Sequence, residues 1–245
     1  MNKRIKTSKA IQSKTVSVRN LSDSLHNEMF QLFSEYYDSV DFKKFILDLQ
    51  EKTHVFLFFN PQNQSLVGFS TIMRKSFPHI ARGIFLFSGD TVMHKDYWGA
   101  KALQKSFFWF ILESKLMNPF RPVYWMLMSK GHKTYLMMRK NFRDSFPNHK
   151  TETPPLFQHI QNKFYQEKFS KSYQPTTNLI VFKENIGSVK MQIAKPTNEQ
   201  LKDPEVVFFL KKNPGFEMGE ELACVCEIRF QDFLLHIPKF FLKAK

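Results

Sequence analysis

Residues Gly83–Glu113 read GIFLFSGDTVMHKDYWGAKALQKSFFWFILE, and this stretch decides the fold. Its first half, from Ile84 to about His94, is apolar on both faces before it turns polar at Ser88, Asp90 and Thr91. That pattern predicts a central strand whose far end is open to solvent or ligand. Its second half, from about Trp98 to Met117, places Leu103, Phe107, Phe110 and Ile111 on one side and Lys101, Gln104, Lys105 and Glu113 on the other. That spacing predicts an amphipathic helix. A strand that passes through a short basic turn into a helix N-terminus can hold a phosphate.

Working outward, Thr15–Arg19 alternates and predicts a first strand. Ser22 can cap a helix carrying Leu25, Met29, Leu32, Phe33 and Tyr36, and Asp41 a second carrying Phe42, Phe45, Ile46 and Leu49. Val55–Phe59 and Leu66–Met73 form a hairpin about an Asn-Pro-Gln-Asn turn. Downstream, VYWMLMSK from Val123 is a second central strand, and His132–Phe142 a helix. Arg143–Pro155 reads as a loop, Leu156–Phe169 as a helix and Leu179–Phe182 as a short strand. Ile186–Lys202 is weakly patterned, Glu205–Lys212 is helical behind Pro204, and Leu222–Phe230 alternates as a last strand. The order is neither strictly alternating nor segregated, which predicts an α/β (α+β) fold with a mixed sheet and helices on both faces.

The 245 residues carry 36 Lys+Arg against 22 Asp+Glu, a formal charge of +14, and 28 Phe. The Phe content supports a sizeable core, and the charge favours an anionic partner. No recognisable nucleic-acid module accompanies that charge, so nucleic acid is not an expected partner. Cys224 and Cys226 lie too close along one strand for an ordinary disulfide. They read as thiols in a reducing compartment. There is no H-x-x-x-H, Walker loop or G-x-G-x-x-G, and no metal site is expected. No apolar run approaches the roughly 18 residues of a membrane span. The basic N-terminus lacks the apolar middle of a signal peptide, so a cytoplasmic protein is expected. The tail, with Phe230, Phe233, Leu234, Ile237, Phe240 and Phe241 among Lys239, Lys243 and Lys245, either packs on the domain or lies on a membrane.

The element order, with VMHKDYWGAKALQ after the long strand, resembles the GNAT acyltransferase superfamily, as a divergent branch of it. The likeness runs from about Val16 to Phe142. It is carried by the hairpin with its LVGF phrase, by the Val92–Leu103 turn, and by the strand and helix from Val123. PVYWMLMSKGHKTYLMM and NPGFEMGEELACVCEI also look like set phrases of that branch. The family's fourth strand ends in an apolar-x-x-x-x-Tyr-Arg-Gly-x-Gly-x-Gly turn that opens a helix. Here Val92, Tyr97, Trp98, Gly99, Ala100 and Lys101 occupy that turn and are the implied donor-binding residues. Trp98 replaces the arginine, and Lys101 and Leu103 replace two glycines. The resemblance implies a GNAT-like, mostly antiparallel sheet over residues 15–150. A flexible basic arm precedes it (residues 1–14), and residues 151–245 pack on it or complete it.

The implied activity is acyl transfer from a thioester, acyl-CoA or an acyl carrier protein, to an amine or hydroxyl. The other reading is a non-catalytic scaffold for an acidic partner or anionic membrane surface. Such a transfer needs a base and N–H donors for the thioester oxygen. Asp90 is the candidate base, against a purely structural carboxylate, and His94 shares its strand face. Ser129 and His132 flank the end of the second central strand, as a functional pair or as helix caps. The family's tyrosine acid falls at Met137 in this chain, and Tyr135, two residues away, is the nearby candidate facing that cleft.

Overall fold

The computed structural model describes residues 10–37, 40–182 and 195–234. Strand β1 (Gln12–Ser17) leads through a 3-10 turn to α1 (Asp23–Tyr36) and α2 (Phe42–Gln50). Both helix starts are set by side-chain caps: Ser22 Oγ accepts from Leu25 N at 3.3 Å, and Asp41 Oδ1 from Lys44 N at 2.7 Å. The hairpin β2 (His54–Phe59) and β3 (Leu66–Lys75) follows, then β4 (Ile84–Met93), α3 (Ala102–Leu116), β5 (Val123–Ser129) and α4 (His132–Asn141). The remainder is β6 (Ser145–Phe146), α5 (Pro155–Lys168), β7 (Tyr173–Gln174), β8 (Leu179–Ile180), α6 (Pro204–Lys212), β9 (Glu221–Glu227) and α7 (Phe230–Leu234).

The strands form one sheet in the order β1-β2-β3-β4-β5-β9-β8-β7, with β6 also on β9. Among the described strands only β4 and β5 run parallel, and every other pair is antiparallel. The chain therefore has the mixed, mostly antiparallel α/β architecture expected. β9 lies directly against the central strand β5, with Tyr124 opposite Glu227 and Ser129 opposite Leu222.

Alternation along the strands splits the core in two. On one face, α1 and α2 bury Met29, Leu32, Phe45 and Leu49 against Val55, Leu57 and Phe69. On the same face α5 buries Ile160, Phe164 and Tyr165 against Phe85, Phe87 and Met126. On the other face α3, α4 and α6 supply Phe110, Ile111, Tyr135, Met138 and Phe209 against Leu86, Trp125, Leu127, Cys224 and Cys226. Both cysteines are free and fully buried.

Several boundaries differ from the sequence expectation. β1 begins at Gln12, inside the expected basic arm, because its register with β2 runs from Gln12–Phe59 to Ser17–His54. α3 begins at Ala102 rather than Trp98, because the intervening residues close a 3-10 turn over Lys95–Tyr97. The Arg143–Pro155 loop contains the two-residue strand β6. Calls on residues 1–9, on most of Ile186–Lys202, and on Ile237, Lys239, Phe240, Phe241, Lys243 and Lys245 lie outside the described residues. Of the tail that is described, Phe233 is buried and packs edge-on against Phe108 at 5.6 Å. No described helix is long and apolar enough to cross a membrane.

Candidate active site

A bulge in β4 creates an opening in the sheet. Ser70 pairs with Thr91 and Ile72 with Ser88, so Gly89 and Asp90 together oppose the single residue Thr71. Such a bulge bends its strand. The parallel ladder to β5 ends just before it, at Phe87–Met126, although β5 continues to Ser129. Trp125 Nε1 donates to Ser88 Oγ at 2.7 Å at this point of divergence. Gly89 is required by close approach: a Cβ there would sit 2.3 Å from Thr71 Oγ1 and 2.5 Å from Lys52 Cε. The Thr71 hydroxyl is buried without a hydrogen-bond partner among the described residues.

Four polar side chains from distant parts of the chain meet around the opening, on the α1, α2 and α5 face. Asp90 comes from the bulge, Glu221 from the start of β9, Lys130 from the end of β5 and Tyr37 from the end of α1. Lys130 Nζ lies 3.4 Å from Glu221 Oε1. Burial pushes the Asp90 carboxyl up, Lys52 opposes that, and Asp48 adds to it. Burial likewise raises Glu221, against the Lys130 charge and with a further push from Asp90. Tyr37 is raised by burial and then by both carboxylates, so it stays protonated. Burial lowers Lys52, which Asp90 pulls back up. Two carboxylates that hold their protons more tightly than usual can accept one from an amine or hydroxyl at neutral pH.

Of the five predicted catalytic residues, only Asp90 is in this opening. His94 ends β4 as a cap: its Nδ1 accepts from Asp96 N at 3.3 Å and its ring packs on Tyr97. Ser129 and His132 are not brought together as a nucleophile pair. Ser129 is fully buried on the opposite face of the sheet and donates to Gly131 O at 3.1 Å. His132 opens α4 and is 1 % exposed, and its pKa is lowered by burial and by the Lys133 charge, with Gln200 opposing. Tyr135 does not face the cleft. Its position on α4 turns it toward α6, where its hydroxyl donates to Glu205 Oε2 at 2.6 Å, beside Pro147 O at 3.1 Å. Burial, then Glu205, holds that hydroxyl protonated far above the ordinary range. Tyr37 and Glu221 were not singled out from sequence. Glu221 gives one local signal, a glutamate opening a run of buried residues from Leu222 to Cys226.

The expected donor-binding turn is partly consumed by its own folding. Val92 and Tyr97 are core residues. Trp98 N donates to Lys95 O at 3.3 Å and Ala100 N to Tyr97 O at 3.1 Å, while the Trp98 indole N–H donates to Met93 O at 2.7 Å. Gly99 has φ +87° and open space where a side chain would stand. Lys101 is the N-cap of α3 and makes no side-chain cap. Two backbone N–H groups of the turn are thus committed within it, while those of Ala102, Leu103 and Gln104 open α3 ahead of its first bond, Lys105 N to Lys101 O at 2.9 Å. The turn therefore offers room, cations and helix N-terminal N–H groups, with Trp98, Lys101 and Leu103 where the family has an arginine and glycines. Among the described residues no cluster of His, Cys, Asp and Glu could hold a metal ion.

No family model and no curated protein matches the chain. Among solved structures, Escherichia coli ElaA is 16 % identical, with 58 % of this chain and 94 % of that one covered and a TM-score of 0.39. An acyl-CoA N-acyltransferase from Pseudomonas aeruginosa is 15 % identical over the same shares, with a TM-score of 0.41. An IAA acetyltransferase from Bacillus cereus ATCC 14579 is 9 % identical, covering 89 % of this chain and 100 % of that one, with a TM-score of 0.39.

Proposed function

We propose that the opening between β4 and β5 carries acyl transfer from a thioester donor to an amine or hydroxyl acceptor. The observation that carries this reading is the meeting of Asp90 and Glu221, both with raised pKa, beside Lys130 and Tyr37. In the proposed reaction the carboxylates take the proton of the attacking group. Tyr37, held protonated, is the available hydrogen-bond donor to the negative charge that develops. Acyl-CoA is the first donor to test and acyl carrier protein the second.

The test measures thiol release and acyl product with acyl-CoAs of increasing chain length, in the presence of small amines and alcohols. Acceptor-dependent release is expected, falling by about 10²–10⁴-fold in Asp90→Asn or Glu221→Gln, the range for a lost general base. The reading is refuted if no donor is cleaved, or if both variants keep full activity.

The self-bonded turn at Trp98–Ala100 favours a second reading, a GNAT-like scaffold that binds an acidic partner or anionic surface without transfer. Salt-sensitive flotation with anionic vesicles, in the absence of any thioester cleavage, would support it.

A further inference from the structure

A cavity of about 570 Å³ lies beside the opening and shares Lys52 with it, where the 3-10 turn after β1, the C-terminal half of α2 and the start of β2 meet. Its volume falls within the roughly 300–1,000 Å³ typical of small-molecule sites. The lining has two characters. Val18, Leu21 and Ile46 form an apolar wall, while Arg19, Lys52 and Lys75 bring three cationic side chains to the same space. No Asp or Glu lines it.

The surrounding acids offset that charge only in part. Asp90, Glu51 and Asp48 act on Lys52, whose Nζ also donates to Asp48 O at 3.3 Å, and Glu51 acts on Lys75 as well, but Glu51 is engaged first by Lys168 at 3.0 Å. Asp23 reaches His26, also in the lining, only at 3.7 Å. Arg19 and Lys75 make no ion pair with a described residue. His54, in the same lining, contributes hydrogen bonding rather than charge. Its Nδ1 lies 2.9 Å from Thr53 Oγ1, and burial, then Arg74, lowers its pKa from 6.5. A concave wall with a surplus of cations concentrates anions, and the arginine fork matches the oxygens of a phosphate or carboxylate.

We propose that this cavity binds a small molecule bearing a phosphate or carboxylate on an apolar frame. The oxyanion sits among Arg19, Lys52 and Lys75, and the frame lies against Val18, Leu21 and Ile46. Lys52 lies over Gly89 and is also the principal counter-charge of Asp90. An anion in the cavity therefore competes with Asp90 for that ammonium. The site itself does not depend on the acyl-transfer reading.

Calorimetric titration of the full chain with phenyl phosphate, benzoate and the neutral isostere phenol, with no acyl donor present, tests the proposal. At least one of the two anions is expected to bind at least tenfold more tightly than phenol. Binding of both would indicate any oxyanion, and of phenyl phosphate alone a phosphate. Arg19→Gln with Lys75→Gln is expected to weaken the anion by about tenfold while leaving phenol unchanged. Both residues are exposed, and an unchanged melting temperature would show that the fold is kept. The proposal is overturned if neither anion saturates the protein, if phenol binds equally well, or if the double variant binds as the parent does. Because no thioester enters the experiment, an inactive enzyme would leave the result intact, and an empty cavity would leave acyl transfer standing.

Discussion

Replacing Glu205 by alanine is expected to lower stability by about 3 kcal/mol, the lower end of the range for removing one member of a buried ion pair. Glu205 lies in the first turn of α6 and is 8 % exposed. Its Oε1 accepts from Arg139 Nε at 2.8 Å and lies 3.0 Å from His149 Nδ1. Its Oε2 accepts from Tyr135 Oη at 2.6 Å and His149 N at 3.3 Å. Alanine would leave the Arg139 charge and the Tyr135 hydroxyl buried, though not wholly without partners. Arg139 keeps Ser145 O at 2.9 Å and Tyr135 keeps Pro147 O at 3.1 Å, which is why the lower end applies. At about 2–4 °C per kcal/mol for a chain of this size, thermal melting should drop by roughly 6–12 °C.

The pH dependence adds a sign. Burial alone would raise the Glu205 carboxyl, but Tyr135, Arg139 and His149 outweigh it and hold the folded value below 4.5. A lowered carboxylate stabilises the fold above its unfolded value, and that contribution is lost as pH falls through the folded one. The gap between parent and Glu205→Ala should therefore be full at pH 7 and shrink in acid below 4.5. A loss under about 1 kcal/mol at pH 7, or a gap that widens in acid, would refute the account.

Asp90→Asn should lose activity without losing stability. Its carboxyl is raised by burial, so above the folded value the charged form costs stability, and a neutral isostere leaves Tm unchanged or higher. A clear fall in Tm would mean that the carboxylate is instead a structural anchor. Gly89→Ala should cost about 1–3 kcal/mol in chemical denaturation, because the new methyl meets Thr71 and Lys52; a neutral effect would show that the bulge tolerates a side chain. Cys224 and Cys226 are buried with raised pKa, burial being the first cause, so alkylation should proceed only in denaturant. Rapid labelling of the native chain would contradict their placement.

What the sequence revealed was local. Ser22 and Asp41 cap the helices they were expected to cap, because capping is decided within a few residues, and the period-two and helical patterns located most elements to within a few positions. The site was far less legible. Tyr37, Asp90, Lys130 and Glu221 are separated by long stretches of chain and meet only because α1 ends above the bulge and β9 pairs with β5. The GNAT-like pattern put its tyrosine acid at Met137 and left Tyr135, two residues away, as the nearby candidate, but helical phase and the acceptor at Glu205 send Tyr135 into the core. The start of α3 was placed early because its amphipathic pattern extends back to Trp98, whereas His94 and Gly99 close a separate turn. Two-residue strands such as β6 and β7 leave no periodic trace.

The pairing of β9 with β5 also orders events during synthesis. The run Val123–Met128 is almost wholly buried in the finished sheet, and one side of it is covered by residues that emerge from the ribosome about a hundred positions later. Until Glu221–Glu227 arrives, β5 presents an unpaired apolar border, the kind of surface that draws other chains into non-native association. Nascent chains halted between α4 and β9 should be more aggregation-prone and more dependent on chaperones than the complete polypeptide. The last strand thus closes a hazard that the first half of the sheet opens.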